Sequence, residues 1–209
     1  DHVFRDLLPA HGMVERPAQM ELSHQMLDTM LNGSIALCDA GTGIGKTYAY
    51  LVAGVVFRRY RSRAGLPNQP LLISTSSIAL QGAIIHDYLP FLSKVMMADG
   101  MLDSPLRAVL RKGKSHYVCD ARLMKRLQTA NLDRKNPLAK AALLSMRDHL
   151  DLDMAPHLSG YDRERICVPP TCDCGKTECR YLCYLDVCAS ERYAIQVCNH
   201  NLLLADAIH

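Results

Sequence analysis

The seven residues Gly41–Thr47, GTGIGKT, bring together three glycines, a lysine and two threonines in one short stretch. Such a loop can grip phosphates. Glycines let successive backbone N–H groups turn inward and approach an anion closely. A lysine reaches the outer phosphates, and a hydroxyl next to it can ligate Mg²⁺. Lys46 and Thr47 fill those two roles, with Gly41, Thr42, Gly43, Ile44 and Gly45 as the cradle, so the expected ligands are ATP and Mg²⁺. The first glycine of the GxxxxGK[ST] pattern is Ala40 here, at the entry to the turn, the position where a side chain is tolerated best.

Upstream, Arg16, Pro17 and Gln19 precede a helical pattern through Met20, Leu22, Met26, Leu27 and Met30. A glutamine amide placed ahead of a phosphate loop can read an adenine edge, because it donates and accepts at once. The methionines read as core filler.

Thiols are the second chemical feature. Of nine cysteines, six lie within Cys167–Cys188, and Cys119 follows a basic stretch some fifty residues earlier. The set Cys174-x4-Cys179-x3-Cys183, flanked by Gly, Thr and Pro, lets thiolates converge on one centre. Four thiolates suit zinc or an iron–sulfur cluster, and spacing alone does not separate the two. So many cysteines beside a nucleotide loop fit a reducing cytoplasm better than a secreted disulfide scaffold. Cys38 and Cys198 fall in apolar strand-like runs and read as core.

The elements that must position these groups are legible in outline. Ser34–Ala40 is a short apolar run suited to a buried strand, followed by the glycine loop and then by a helix from Lys46. Pro70–Ser76 reads as a second buried strand, leading into a helix capped by Ser76 or Ser77. Hydroxyls and N–H groups at such a junction, as at Ser74 and Thr75, can contact phosphate. Arg122–Leu150 is helix-like, with Asn136 and Pro137 as a cap and first helical residue. Tyr193–His209 reads as a strand and then a helix.

The chain of 209 residues carries a net charge of +3, too small by itself to demand a nucleic-acid partner. Its basic residues are nevertheless clustered, at Arg58–Arg63 and along Leu110–Arg126. No apolar run reaches the roughly 18 residues of a membrane span.

Together, RPAQ at Arg16–Gln19, DAGTGIGKTYAYL at Asp39–Leu51 and ISTSSIALQ at Ile73–Gln81 resemble the DinG/XPD family of iron–sulfur superfamily 2 DNA helicases, from about Arg16 to the C-terminus. The resemblance implies that Gln19 contacts adenine and that Ser74, Thr75 and Gln81 lie against single-stranded DNA. It implies that RKGKSHYVC supplies the first ligand of a [4Fe–4S] cluster and CGKTEC the next two. Those ligands are Cys119, Cys174 and Cys179, with Cys183 as the fourth and Cys188 and Cys172 as its substitutes. Lys112 and Lys114, within the basic run before Cys119, are expected on the DNA path.

The expected fold is α/β: a P-loop NTPase, RecA-like parallel sheet with right-handed crossovers, interrupted by a helical iron–sulfur domain. Residues 1–112 would open the first motor domain, 113–190 would be the insert, and 191–209 would return to the motor. No D-E-x-H sequence occurs in the 209 residues. The expectation is therefore an N-terminal portion of an ATP-dependent, 5′-to-3′ DNA helicase acting on single-stranded or forked DNA, inactive without the chain beyond residue 209. The competing readings are a P-loop ATPase or kinase with structural zinc, and a non-motor DNA-binding module with a nucleotide switch.

Overall fold

The computed structural model describes residues 1–129, 137–172 and 179–208. It forms two compact units, Asp1–Arg111 with Ala189–His209, and Lys112–Cys188.

In the first unit, α1 (Pro17–Asn32) begins at a proline, whose fixed φ suits a first helical position, after Arg16 in extended backbone. It ends at Gly33, in the left-handed conformation that closes a helix without a Cβ penalty. α2 (Lys46–Arg63) follows the glycine loop, and β1 (Leu71–Ser74) packs against it. Gly54 makes that approach possible, since a Cβ there would lie 2.4 Å from Leu71 Cδ1. Next come α3 (Ile78–Ala83), a π-helical turn at Ile84–Tyr88, α4 (Leu89–Ala98) and β2 (Ala108–Leu110). After the residues of the second unit come β3 (Ile195–Cys198) and α9 (His200–Ile208).

The three strands form a parallel sheet in the order β1-β3-β2. Leu71 pairs with Ile195 and Ser74 with Cys198 on one side of β3, and Ala108 pairs with Ile195 on the other. All four residues of β3 are buried, as a central parallel strand covered on both faces requires. The core joins the N-terminal turn (Val3, Phe4) to α2 (Leu51, Val55), α4 (Leu92) and β3 (Ile195).

Two expected junctions form. Ser77 caps α3, its Oγ accepting from Leu80 N at 3.2 Å. Asn199 Oδ1 accepts from Leu202 N at 2.7 Å between β3 and α9.

One expected strand does not form. Residues 34–40 carry strand-like residue types but belong to no sheet, and Ile35 and Leu37 are fully exposed. A strand exists through its ladder, and no described strand pairs with this run. A cavity of about 490 Å³, with Ala36, Cys38, Leu71 and Ile73 on its walls, lies where the run faces β1. Cys38 is accordingly half-buried rather than core, whereas Cys198 is fully buried in β3 as expected.

The second unit contains α5 (Asp120–Thr129), α6 (Pro137–Ser145), α7 (Gly160–Ile166) and α8 (Arg180–Ala189). Two antiparallel bridges, Tyr117 with Asp151 and Val118 with Cys167, hold the chain before α5. Val118, Leu123, Leu143, Met146, Leu152 and Ile166 form its core. Ser159 caps α7 by accepting from Asp162 N at 3.1 Å. Asn136, expected as the cap of α6, lies outside the described residues. No described helix is long and apolar enough to cross a membrane.

Candidate functional site

The glycine loop meets α2 at Gly45, whose φ of 86° is left-handed, and Gly43 shares that geometry at 83°. Lys46 and Thr47 therefore stand at the first two positions of an 18-residue helix, where unpaired N–H groups and the helix dipole favour an anion. Lys46 Nζ folds back and donates to the carbonyls of Ala40 at 2.9 Å and Gly41 at 2.8 Å. The ammonium thus fixes the curvature of the loop it would leave to meet a phosphate. Tyr50, one turn along, has its hydroxyl pKa raised by burial.

Arg16 and Gln19 come to the same loop. Gln19 is 6% exposed and donates Nε2 to Gly45 O at 2.7 Å. A Cβ on Gly45 would fall 2.1 Å from that Nε2 and 3.4 Å from Arg16 Nη1. The glutamine that sequence reasoning assigned to an adenine edge is thus, first, a strut under the phosphate loop. A single sequence does not show that contact, because it joins residues 26 positions apart.

Ser74, Thr75 and Gln81 cluster at the C-terminal end of β1. Ser74 Oγ is 2.7 Å from His200 Nδ1. Thr75 Oγ1 accepts from Ser77 N at 3.2 Å, and its carbonyl accepts from buried Gln81 Nε2 at 2.9 Å. Gln81 is committed to holding this turn. His200 was not singled out from the sequence; its place at the start of a helix following the central strand is the signal that marks it.

In the second unit, Lys112 is not an open phosphate contact. Its Nζ donates to Asp151 at 2.6 Å and Asp153 at 2.7 Å. Burial pulls the Lys112 pKa down, and these two carboxylate bonds more than offset it, leaving the value raised. The Lys112 bond holds the Asp153 carboxyl down at about 2, with Arg163 assisting at 2.9 Å. Lys114 donates to Pro170 O at 2.5 Å. A charge run read as one basic face is in part an internal ion-pair network.

Of the expected metal ligands, Cys119, Cys179 and Cys183 belong to this unit, and Cys174 lies outside the described residues. Cys119 is 6% exposed and held by its N–H to Ile166 O at 2.8 Å, in a cluster with Tyr117 and Val168 on which Tyr181 and Tyr184 of α8 pack. Burial is the main cause raising the Tyr184 pKa, with the Tyr117 hydroxyl adding to it. Cys179 and Cys183 are one helical turn apart, Cys183 N donating to Cys179 O at 3.0 Å. Arg180 donates to both oxygens of Asp120, with Nε at 2.8 and 3.0 Å, and so ties the residue beside Cys179 to the residue beside Cys119. Exposed Cys172 and buried Cys188 also lie in this unit. Thiolates suit a metal centre chemically, and the Arg180–Asp120 pair brings the Cys119 and Cys179 segments together. Among the described residues, however, no three His, Cys, Asp or Glu side chains gather as metal ligands. α8 itself was not expected. Its signal is the spacing of Tyr181, Tyr184 and Cys188, an i, i+3, i+7 stripe that the cysteine pattern obscured.

No protein-family profile matches the chain. Curated relatives do. The 3'-5' exonuclease DinG of Bacillus subtilis is 31% identical over 139 residues, 66% of this chain and 13% of that protein. The ATP-dependent DNA helicase YoaA of Haemophilus influenzae is 30% identical over 129 residues, 62% and 18% of the two chains. The ATP-dependent DNA helicase DinG of Photobacterium profundum is 35% identical over 85 residues, 41% and 10%. The chain is a sequence relative of the DinG and YoaA proteins. It spans under a fifth of the length of these DinG and YoaA relatives.

Proposed function

We propose that this chain is the ATP-binding part of an ATP-dependent DNA helicase, carrying a thiolate-held [4Fe–4S] centre in its second unit. The observation that supports the reading most is the assembly of Arg16, Gln19 and the glycine loop around Gly45 at the N-terminus of α2. Relatives named as ATP-dependent DNA helicases give that assembly its expected ligand and purpose.

In this reading the helix N-terminus and the backbone N–H groups of Gly41–Gly45 bind phosphate oxygens, and Lys46 exchanges its two carbonyl acceptors for the outer phosphates. Thr47 offers its hydroxyl to Mg²⁺, which would supply charge neutralisation for phosphoryl transfer. Gln19 holds the loop open at Gly45, and Arg16 adds charge beside it. Ser74, Thr75 and Gln81 shape the turn at which a DNA strand would lie, with hydroxyls and N–H groups facing phosphate rather than base edges. Cys119, Cys174, Cys179 and Cys183 would hold the cluster, which ties segments together as a structural metal does.

A P-loop ATPase or kinase with structural zinc is the competing reading. Titrating the chain with a fluorescent ATP analogue and, separately, with labelled oligothymidine separates them. The helicase reading expects both ligands to bind, with oligothymidine affinity falling as salt rises. Nucleotide binding with no oligothymidine binding at low salt would favour the ATPase or kinase.

A further inference from the structure

At the far end of α2 from the glycine loop, arginines from three segments of the first unit line a pocket of about 460 Å³. Arg58, Arg59 and Arg63 come from the last turns of α2, Arg107 from the residue before β2, and Arg192 from the approach to β3. An 18-residue helix is about 27 Å long, so the pocket lies well apart from Lys46. Part of this charge holds the fold. Arg58 donates to Gln69 O at 2.6 Å and Arg61 to Pro67 O at 2.7 Å, fastening the end of α2 to the turn before β1. Glu191 accepts from Asn68 N at 3.0 Å, and its charge acts on Arg58. The rest is unmatched. Among the described residues, the side chains of Arg59, Arg63, Arg107 and Arg192 make no hydrogen bond or ion pair, and Asp103 is the one further carboxylate lining the pocket. The backbone beneath them is set, because Arg107 O accepts from Ala194 N at 2.8 Å and ties the entrances of β2 and β3 together.

We infer that this pocket binds a small oligophosphate, a compact chain of two or three phosphoryl groups. Cations at a helix C-terminus favour its dipole, which accounts for charge on α2 but not for Arg107 and Arg192, which come from other segments. Four guanidiniums facing one carboxylate repel one another until an anion joins them. A tetrahedral phosphoryl group offers oxygens in several directions, which suits guanidinium forks arriving from three segments. A carboxylate offers two oxygens in one plane. A compact anion also fits better than a nucleic-acid strand, since Asp103 and Glu191 line the same pocket and would repel a phosphodiester running through it. This binding is independent of the helicase reading.

Isothermal titration of the whole 209-residue chain with sodium tripolyphosphate, at low salt and without Mg²⁺, tests the pocket. Lys46→Ala, which removes the lysine of the glycine loop, should still bind tripolyphosphate. Adding Arg59→Gln and Arg107→Gln to that variant should weaken the binding about tenfold or more, the effect of losing at least one charged contact. Neither arginine side chain bonds to the rest of the chain, so the melting temperature should not change. Adding Lys94→Gln and Lys140→Gln instead, which removes the same charge elsewhere, should leave the affinity as it is. Oligothymidine should not displace the tripolyphosphate. No binding by Lys46→Ala, an equal loss in the two sets of variants, or displacement by oligothymidine overturns the pocket and leaves the ATP reading standing. The wild-type chain should take up a second tripolyphosphate at the glycine loop; failure to do so would count against that loop and not against the pocket.

Discussion

Gly45→Ala should abolish most nucleotide binding while leaving the chain folded. The backbone at Gly45 is left-handed, which costs a residue with a Cβ about 1–2 kcal/mol. The new methyl would also fall 2.1 Å from Gln19 Nε2, so Gln19 must give up its bond to Gly45 O, at a cost of about 1–3 kcal/mol for a buried group left unpaired. These terms sum to about 2–5 kcal/mol against the phosphate-binding loop conformation. At 1.4 kcal/mol per factor of ten, nucleotide affinity should fall by about thirty-fold or more. Gly41→Ala is the matched comparison. A Cβ there meets only Ile44 Cδ1 at 3.8 Å and needs no unusual φ, so its affinity should stay within about threefold of wild type. Titration of both variants with a fluorescent ATP analogue reads the difference directly; equal losses would show that Gln19 and the left-handed turn do not shape the site.

Protein purified without oxygen should carry about four irons per chain, and Cys119→Ser should remove them. Cys119 is buried and anchored through Ile166 O, so its side chain cannot be replaced in position by a neighbouring thiol without moving that backbone. Metal loss should also loosen the second unit, because ligand binding and folding are coupled. The Arg180–Asp120 pair holds the Cys119 and Cys179 segments together without metal. The apo unit should therefore become more sensitive to protease rather than unfold outright. Cys38→Ser, in the first unit, should leave iron content alone. Elemental analysis and visible absorbance check both variants. Zinc at one per chain, with no iron, would replace the cluster by a structural zinc site.

What could be read from the sequence was local. Lys46 and Thr47 at a helix start, the Ser77 cap and the strand and helix around Asn199 each follow from residues within a few positions of one another, and each is present. What escaped depends on distant partners. Residues 34–40 have strand composition, but a strand needs a neighbour, and none of the described strands pairs with them. Lys112 belongs to a basic run, but its charge is met by Asp151 and Asp153, some forty positions on. Gln19 reads as an adenine contact, and its bond to Gly45 O becomes visible only when residues 26 positions apart are placed together. The Arg126–Asp162 and Arg165–Tyr161 contacts likewise depend on how α5 and α7 pack, which helical periodicity does not encode. The glycine loop identifies itself, whereas the groups that brace it become visible only in three dimensions.

The central claim is that the loop at Gly41–Thr47, braced by Gln19, binds ATP through Lys46. Equilibrium titration of the wild-type chain and Lys46→Ala with a fluorescent ATP analogue, in the presence of Mg²⁺, tests it most directly. Losing one charged contact to phosphate costs about 1.5–3 kcal/mol, so the variant should bind about ten- to hundredfold more weakly. Equal affinity in the two proteins would contradict the claim.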